Sequence, residues 1–368
     1  MHVELSDSDA RQLRTRAQLL EKGKKRSALE VVRKLVGLQA QDPGAASLQA
    51  RARSSGLARE DVREALLGNR SIVRAWCMRG TLHLVSADDL RWIVSLLGER
   101  FITAGGRRRA ELGLDERSTE RGVRVIVEAL SENGPLSRNM LFDRLAAAGI
   151  PHEGQAGIHL VRTAGLEGHL CYGPEQNGQE TFVLVNDWIK GVRPLSDKDA
   201  AVELARRYVS AYGPATPRDF TWWSGLDLKR AETAFRGIGG RLAQVDVAGV
   251  AMWVLTTRFE EDEDPSRRKD VILLPRFDPY LLGYRDRALV LDPRFDKEVN
   301  AGGGIIRPVV VAGGRVAATW SMAQGKDGLI VNVKPFVGLS RSETAGLKAE
   351  VADIGRFEHM ASRLQILE

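Results

Sequence analysis

Residues 130–137 read "LSENGPLS" and residues 209–216 read "VSAYGPAT". Ser, Gly and Pro coincide in the two stretches, and each ends on a Ser or Thr able to cap a new helix. Upstream of the first, Val123, Ile126, Val127 and Leu130 recur at helical spacing, which predicts an amphipathic helix that Gly134-Pro135 stops. Ser137 then opens a second helix through "RNMLFDRLAAAGI", and a third is expected over residues 154–166. Two apolar runs follow, "HLCY" and "TFVLV", with the hairpin signal Asn177-Gly178 between them. The second stretch sits in the same order of elements. Ser196 and Asp199 cap a helix carrying Val202, Ala205, Val209 and Tyr212, and Thr216-Pro217 opens the next. A short third helix is expected near residues 227–235, and "LAQVDV" and "VAMWVL" are joined at Ala248-Gly249.

Three helices followed by a two-stranded hairpin is the order of a winged helix. A third copy is read at the N-terminus. A helix over residues 6–20 is followed by Ser27 and Glu30, spaced as a capping box before a second helix. Further helices are expected near residues 44–54 and 60–68, then a hairpin of "SIVRAWCM" and "TLHLVS" around Arg79-Gly80. The remainder differs. "RFEEDEDPSRRKD" reads as a charged linker, and "VILLPRF", "GIIRPVVVAGGRVAATWSM" and "GLIVNVKPF" are β-rich and punctuated by glycine. A terminal helix is expected from residue 340 to about 363. The expected fold class is α+β: three tandem winged-helix domains (1–110, 111–192 and 193–258), then a β-rich, barrel-like C-terminal domain with a terminal helix (259–368).

A chain of 368 residues exceeds one ordinary core, consistent with several domains. No apolar run is long enough to span a bilayer and no signal peptide is visible, so no membrane partner is expected. Cys77 and Cys171 stand far apart with no second ligand at metal spacing, which argues against a disulfide frame, a zinc finger or an iron–sulfur cluster. They fit a reducing cytoplasm. The formal net charge of +6 permits a polyanionic partner without requiring one. The arginine clusters "RTRAQ", "RARSS" and "GGRRRAE" read first as solvated helix faces; the last, with Arg107 and Arg108, is also a candidate phosphate-contact patch.

"VGLQAQDPG", residues 36–44, holds Gln39 and Gln41 with Ala40 between them. Leu29, Val32 and Val36 mark the stripe of the preceding helix, and Gly37 offers its stop. Were the helix to continue, Gln39 and Gln41 would stand about 200° apart around its axis. Pro43 instead favours an extended Asp42, and an extended stretch puts residues i and i+2 on one side. The bracket from Gly37 to Pro43 therefore favours two amides projecting together from a helix-to-helix turn. The bland alternative is a helix end whose glutamines hydrogen-bond backbone.

"LQAQDP", "IVRAWCMRGTLHLV" and "LLPRFDPYLLGYRDR" together resemble the winged-helix DNA glycosylases of the AlkZ and YcaQ type, across nearly the whole chain. The family's catalytic motif is Gln, an aliphatic residue, then Gln or Asp. Here it is the Gln-x-Gln version, so the resemblance assigns catalysis to Gln39 and Gln41. It implies excision of N7-alkylated guanine and unhooking of interstrand crosslinks, by a monofunctional hydrolase that leaves an abasic site. In the AlkZ branch it also implies self-resistance to azinomycin B. No cofactor, metal or lysine Schiff base is expected. The expected partner is double-stranded DNA carrying alkylated or crosslinked guanine, and a monomer in the cytoplasm, associated with the nucleoid when bound, is expected. Gln41 lacks the carboxylate of the Gln-x-Asp relatives, which favours water positioning by two amide oxygens over general-base catalysis.

Other residues are candidates for DNA contact. His83 alternates with Leu82 and Leu84 on a strand and either faces the site or belongs to a core. Arg79 sits at a hairpin turn. Arg276 and Asp278 lie in "PRFDPY", where a mutual ion pair is the default, and Arg285 follows in the same family segment. Gly313-Gly314 with Arg315 reads as a hairpin tip rather than a nucleotide-binding loop. Trp222 and Trp223 read as core and rim of the third winged helix, not as base-stacking platforms. The alternative reading is a non-enzymatic winged-helix regulator. Nothing in the sequence supplies the dimerisation helix that such a protein usually carries.

Overall fold

The computed structural model describes residues 3–21, 25–190, 195–259 and 271–367. The chain forms two compact units, one from Met1–Arg63 and Val202–Glu368, the other from Glu64–Ala201.

In the second unit, Asp115 caps the helix Glu116–Asn133 by accepting from Ser118 N–H at 2.7 Å, and Gly134 at φ 72° ends it. Ser137 caps Arg138–Ala147, and Ala156–Leu166 follows. Strands Leu170–Tyr172 and Thr181–Leu184 pair antiparallel, with Asn177 and Gly178 both left-handed in the intervening turn. These are the elements the first repeat predicts. Their apolar faces meet in a core containing Ile126, Leu130, Leu141, Leu145, Leu160, Leu170 and Phe182. Each such side chain contributes about 1.5–3 kcal/mol by leaving water. The hairpin of Ile72–Trp76 and Leu82–Ser86 adds Trp76, stacked on Phe182. A Cβ on Gly165 would meet the Trp76 ring at 2.5 Å, so close approach of helix and indole requires glycine there.

In the first unit, helices Asp7–Ala17, Ala28–Leu35, Pro43–Arg51 and Arg59–Arg63 pack with the second repeat and the C-terminal sheet. The second repeat supplies Pro217–Ser224, capped by Thr216 and Asp219, then Leu228–Ile238 and the hairpin of Leu242–Val247 and Val250–Leu255. The N-terminal strand Val3–Leu5, unsignalled in the sequence, pairs parallel with Leu242–Val247. Trp223 is 3% exposed and Trp222 45%, so one of the pair is core and the other rim, in the reverse of the expected order.

The C-terminal sheet is mixed and open, not a barrel. Its strands run in the order Val271–Leu274, Val309–Ala312, Arg315–Gly325, Gly328–Pro335, Ser362–Ile366. The terminal helix Arg341–Glu358 packs on both edge strands, so the edges are covered by a helix instead of pairing with each other. That helix is also shorter than expected. His359 takes a left-handed conformation and ends it, and the tail returns as a strand parallel to Gly328–Pro335. The charged stretch lies, for residues 260–270, outside the described residues.

Two arginine clusters are not solvated faces. Arg14, Arg51 and Arg53 are no more than 2% exposed. Arg51 pairs with Glu350 at 3.0 Å and Asp353 at 2.8 Å, and Arg14 lies over the Tyr284 ring. Their partners stand hundreds of residues away, beyond the reach of local pattern.

Candidate active site

Ser27 opens the Ala28–Leu35 helix with the expected capping box, exchanging bonds with Glu30. The helix buries Ala28, Val31, Val32 and Leu35; of the expected stripe, Val32 and Val36 are buried and Leu29 is half-buried. The stop also differs from the expected one. Val36, not Gly37, takes the left-handed conformation at φ 59°, and Gly37 at φ 133° leads into the extended pair Leu38–Gln39. A β-branched residue held there stores about 1–3 kcal/mol of strain. Burial of the Val36 side chain, 2% exposed, supplies the opposing constraint.

Extended backbone puts Gln39 and Gln41 on one side, and Gln39 Nε2 donates to Gln41 Oε1. Gln39 is 8% exposed, whereas Gln41 is exposed. Asp42 caps the next helix, Pro43–Arg51, accepting from Ala45 N–H at 3.0 Å, with Pro43 in its first turn. The other Asp42 oxygen lies 3.6 Å from Arg276 Nη1, which brings the "PRFDPY" loop beside the glutamines.

A buried side chain ties these two loops together. Gln49, wholly buried on the Pro43–Arg51 helix, donates through Nε2 to the Gln39 carbonyl at 3.0 Å and the Arg276 carbonyl at 3.4 Å. Beneath it, Arg53 makes a two-pronged pair with Asp278, Nη2 to Oδ1 at 2.7 Å and Nη1 to Oδ2 at 2.8 Å. Its remaining donors reach Gln49 O, Gln18 O and Gln18 Oε1, so all five are used. Arg276 and Asp278 are therefore not partners of each other. Asp278, 1% exposed, holds the loop from within, a structural duty in place of the expected DNA contact. Between them Phe277 sits at φ 60°, a second strained residue beside the site. Gln49 belongs to no motif, and Arg53 stands in "RARSS", whose sequence suggests a solvated face.

The other candidates in this unit lie at the surface. Arg285 is exposed and lines a cavity of about 870 Å³ with Arg218 and Trp222. Gly313 and Gly314 are both left-handed and form the tight turn between Val309–Ala312 and Arg315–Gly325, with Arg315 exposed. Tyr280 Oη donates to the Gly314 carbonyl at 2.7 Å and anchors that turn.

In the second unit, Arg79 is left-handed (φ 55°) in the Met78–Gly80 turn. Arg107 and Arg108, on the Gly106–Glu111 helix, both pair with Glu111. His83 is 2% exposed, with Nδ1 3.0 Å from the Thr81 carbonyl, so that nitrogen carries the proton. Burial first, then the charge of Arg79, pushes its pKa down to about 3. The folded state thus binds His83 neutral, and its contribution to stability is full above the ordinary value near 6.5 and lost as pH falls from there towards 3. Acid unfolding in this window should carry about 1.4 kcal/mol per pH unit from this group. His83→Gln should flatten that slope in denaturant titrations at successive pH values; an unchanged slope would contradict the assignment.

The chain matches the DNA glycosylase AlkZ-like family over residues 32–357. The chain belongs to the AlkZ-like DNA glycosylase family. It is 29% identical over 357 residues to the interstrand DNA cross-link repair glycosylase of Streptomyces sahachiroi, covering 93% of this chain and 94% of that protein. The solved structure of Streptomyces sahachiroi DNA glycosylase AlkZ superposes with a TM-score of 0.84 at 28% identity, covering 99% of this chain and all of that one. As an AlkZ-like DNA glycosylase, the protein is a hydrolase of N-glycosyl bonds, and the reading as a non-enzymatic regulator falls away.

For this glycosylase, Gln49→Leu is expected to slow base release about 10²-fold, because the backbone beneath Gln39 loses its tether. It removes the Nε2 donor that the Gln39 and Arg276 carbonyls share, at a cost of about 1–3 kcal/mol. Single-turnover kinetics beside a denaturation curve tests this, and a parental rate in a folded variant removes Gln49 from the positioning of the site.

Proposed function

We propose that the protein hydrolyses the N-glycosidic bond of N7-alkylated deoxyguanosine in duplex DNA, unhooks interstrand crosslinks formed through that atom, and leaves an abasic site. The observation that carries this reading is the amide pair, Gln39 Nε2 donating to Gln41 Oε1 on an extended segment. Alkylation at N7 makes guanine cationic, so the base departs neutral and no strong general acid is required. What remains is to hold a water at the anomeric carbon and stabilise a sugar of oxocarbenium character. A carbonyl oxygen has two acceptor positions, so Gln41 Oε1 keeps one for water after receiving the Gln39 N–H. Its partial negative charge stabilises the developing cation. Gln41, the exposed member, meets sugar and water, and buried Gln39 orients it. Asp42 is already engaged by Ala45 and Arg276.

Three tandem winged helices and a C-terminal domain, with boundaries near 110, 192 and 258, present this site to DNA. Arg79, Arg276, Arg285 and the Gly313–Arg315 tip are the contacts we assign. The protein acts as a monomer in the cytoplasm, and self-resistance to a DNA-crosslinking antibiotic is its biological role. The name of the Streptomyces sahachiroi relative, an interstrand DNA cross-link repair glycosylase, supports the crosslink substrate. A duplex bearing N7-methylguanine should yield free base over multiple turnovers and an equal amount of alkali-labile sites. Binding of that duplex without base release would overturn the proposal.

A further inference from the structure

We propose that Arg109 and Arg162, with Gly105 between them, form a binding site for one phosphate of the DNA backbone. The inference rests on the proposed function for its polymer, duplex DNA, and not for its chemistry. A Cβ on Gly105 would lie 3.0 Å from Arg109 Nη1, 3.4 Å from the Phe101 carbonyl and 3.5 Å from Arg162 Nη1, so two guanidinium groups border one point beside backbone. At Gly106 the corresponding position is 3.9 Å from Arg109 Nη2.

Both groups are oriented by carbonyls. Arg109 Nη1 donates to Ile102 O at 2.8 Å, and Arg162 Nε and Nη2 donate to Gly80 O at 3.3 Å each. Carbonyls aim a guanidinium but leave its charge in place. Among the described residues no carboxylate lies within ion-pair distance of Arg109 or Arg162, whereas Arg107 and Arg108 share Glu111. The charge conspicuous in the sequence is thus held in close ion pairs, whereas Arg109 feels only the longer-range charge of Glu167, and its neighbour Arg162 stands 53 positions further on, in the helix Ala156–Leu166.

His159 stands in the same cluster, its Nδ1 buried and without a partner among the described residues. Burial, then the charges of Arg162, Arg109 and Arg108, holds it below the ordinary histidine range, so it stays neutral. Two half-buried like charges repel until an anion enters, and planar forks of N–H donors match phosphate oxygens.

Binding of the full-length protein to an unmodified duplex, followed by fluorescence anisotropy across a series of NaCl concentrations, tests the site. In the Arg109→Gln/Arg162→Gln variant the slope of log K against log salt should be shallower by about 1, the counterions released by one phosphate contact. Arg109→Lys/Arg162→Lys keeps the charges but not the forked bonds to Ile102 and Gly80, and should keep the parental slope. A parental slope in the Gln variant overturns the site. Equal loss in both variants also overturns it, because the loss then follows the disturbed backbone rather than the charge. Base release from an N7-methylguanine duplex, measured in parallel, separates this outcome from that of the proposed function. Release with an unchanged slope rejects the phosphate site alone, and a changed slope without release rejects the chemistry alone.

Discussion

Gln41→Ala is expected to slow release of N7-methylguanine by about 10²–10³-fold in single-turnover assays, the cost of removing one preorganised polar group from a transition state. Gln39→Ala should fall in the same range for a different reason. Gln39 is 8% exposed and its Nε2 holds Gln41 Oε1, so its loss releases the group to which we assign positioning of the water. Because the amides act as one unit, the double variant should be little slower than the worse single one. Far-UV circular dichroism should be unchanged in all three. Gln41→Asp separates positioning from charge. A carboxylate still accepts from Gln39 Nε2, so activity should persist and acquire an acid limb, falling as pH drops through the carboxylate range near 4. Parental rates in the alanine variants would sink the assignment of both glutamines.

Asp278→Ala is expected to cost about 3–5 kcal/mol of unfolding free energy, the penalty for leaving a buried guanidinium without its anion. Arg53 and Asp278 are 0% and 1% exposed, and every Arg53 donor is engaged. Removing one partner therefore strands a charge that water cannot reach. Replacing both by apolar residues of similar size, as in Arg53→Met/Asp278→Leu, removes the charges together and should cost less than Asp278→Ala alone. Denaturant midpoints at neutral pH read the comparison directly. If the double variant is the less stable one, the pair contributes more than mutual compensation. The Arg276–Asp278 loop borders the glutamines, so Asp278→Ala should also slow base release.

The candidate site was legible in the sequence to the extent that local backbone chemistry governs it. Gly37 and Pro43 bracket an extended segment, and extended backbone sets Gln39 and Gln41 on one side. The exact stop was not legible, because Val36 takes a left-handed conformation that its own preferences oppose and that burial imposes. Gln49 was equally hidden. Its duty depends on the Arg276 carbonyl, 227 residues away, and no periodicity encodes such a partner.

Turns, caps and helical repeats belonged to the sequence alone, because each depends on residues within a few positions: Asn177-Gly178 and Gly313-Gly314 adopt the left-handed turns their residue types favour, and Ala248-Gly249 follows through its glycine. Only the tertiary structure decided that "RARSS" is core rather than surface, since Glu350, Asp353 and Asp278 are carried to Arg51 and Arg53 by the folded chain. It alone decided that the C-terminal sheet stays open under a helix, and that the tail adds a fifth strand. The division is physical. Short-range preferences act on the chain wherever it lies, whereas the fate of a charge or a sheet edge depends on what folding brings against it.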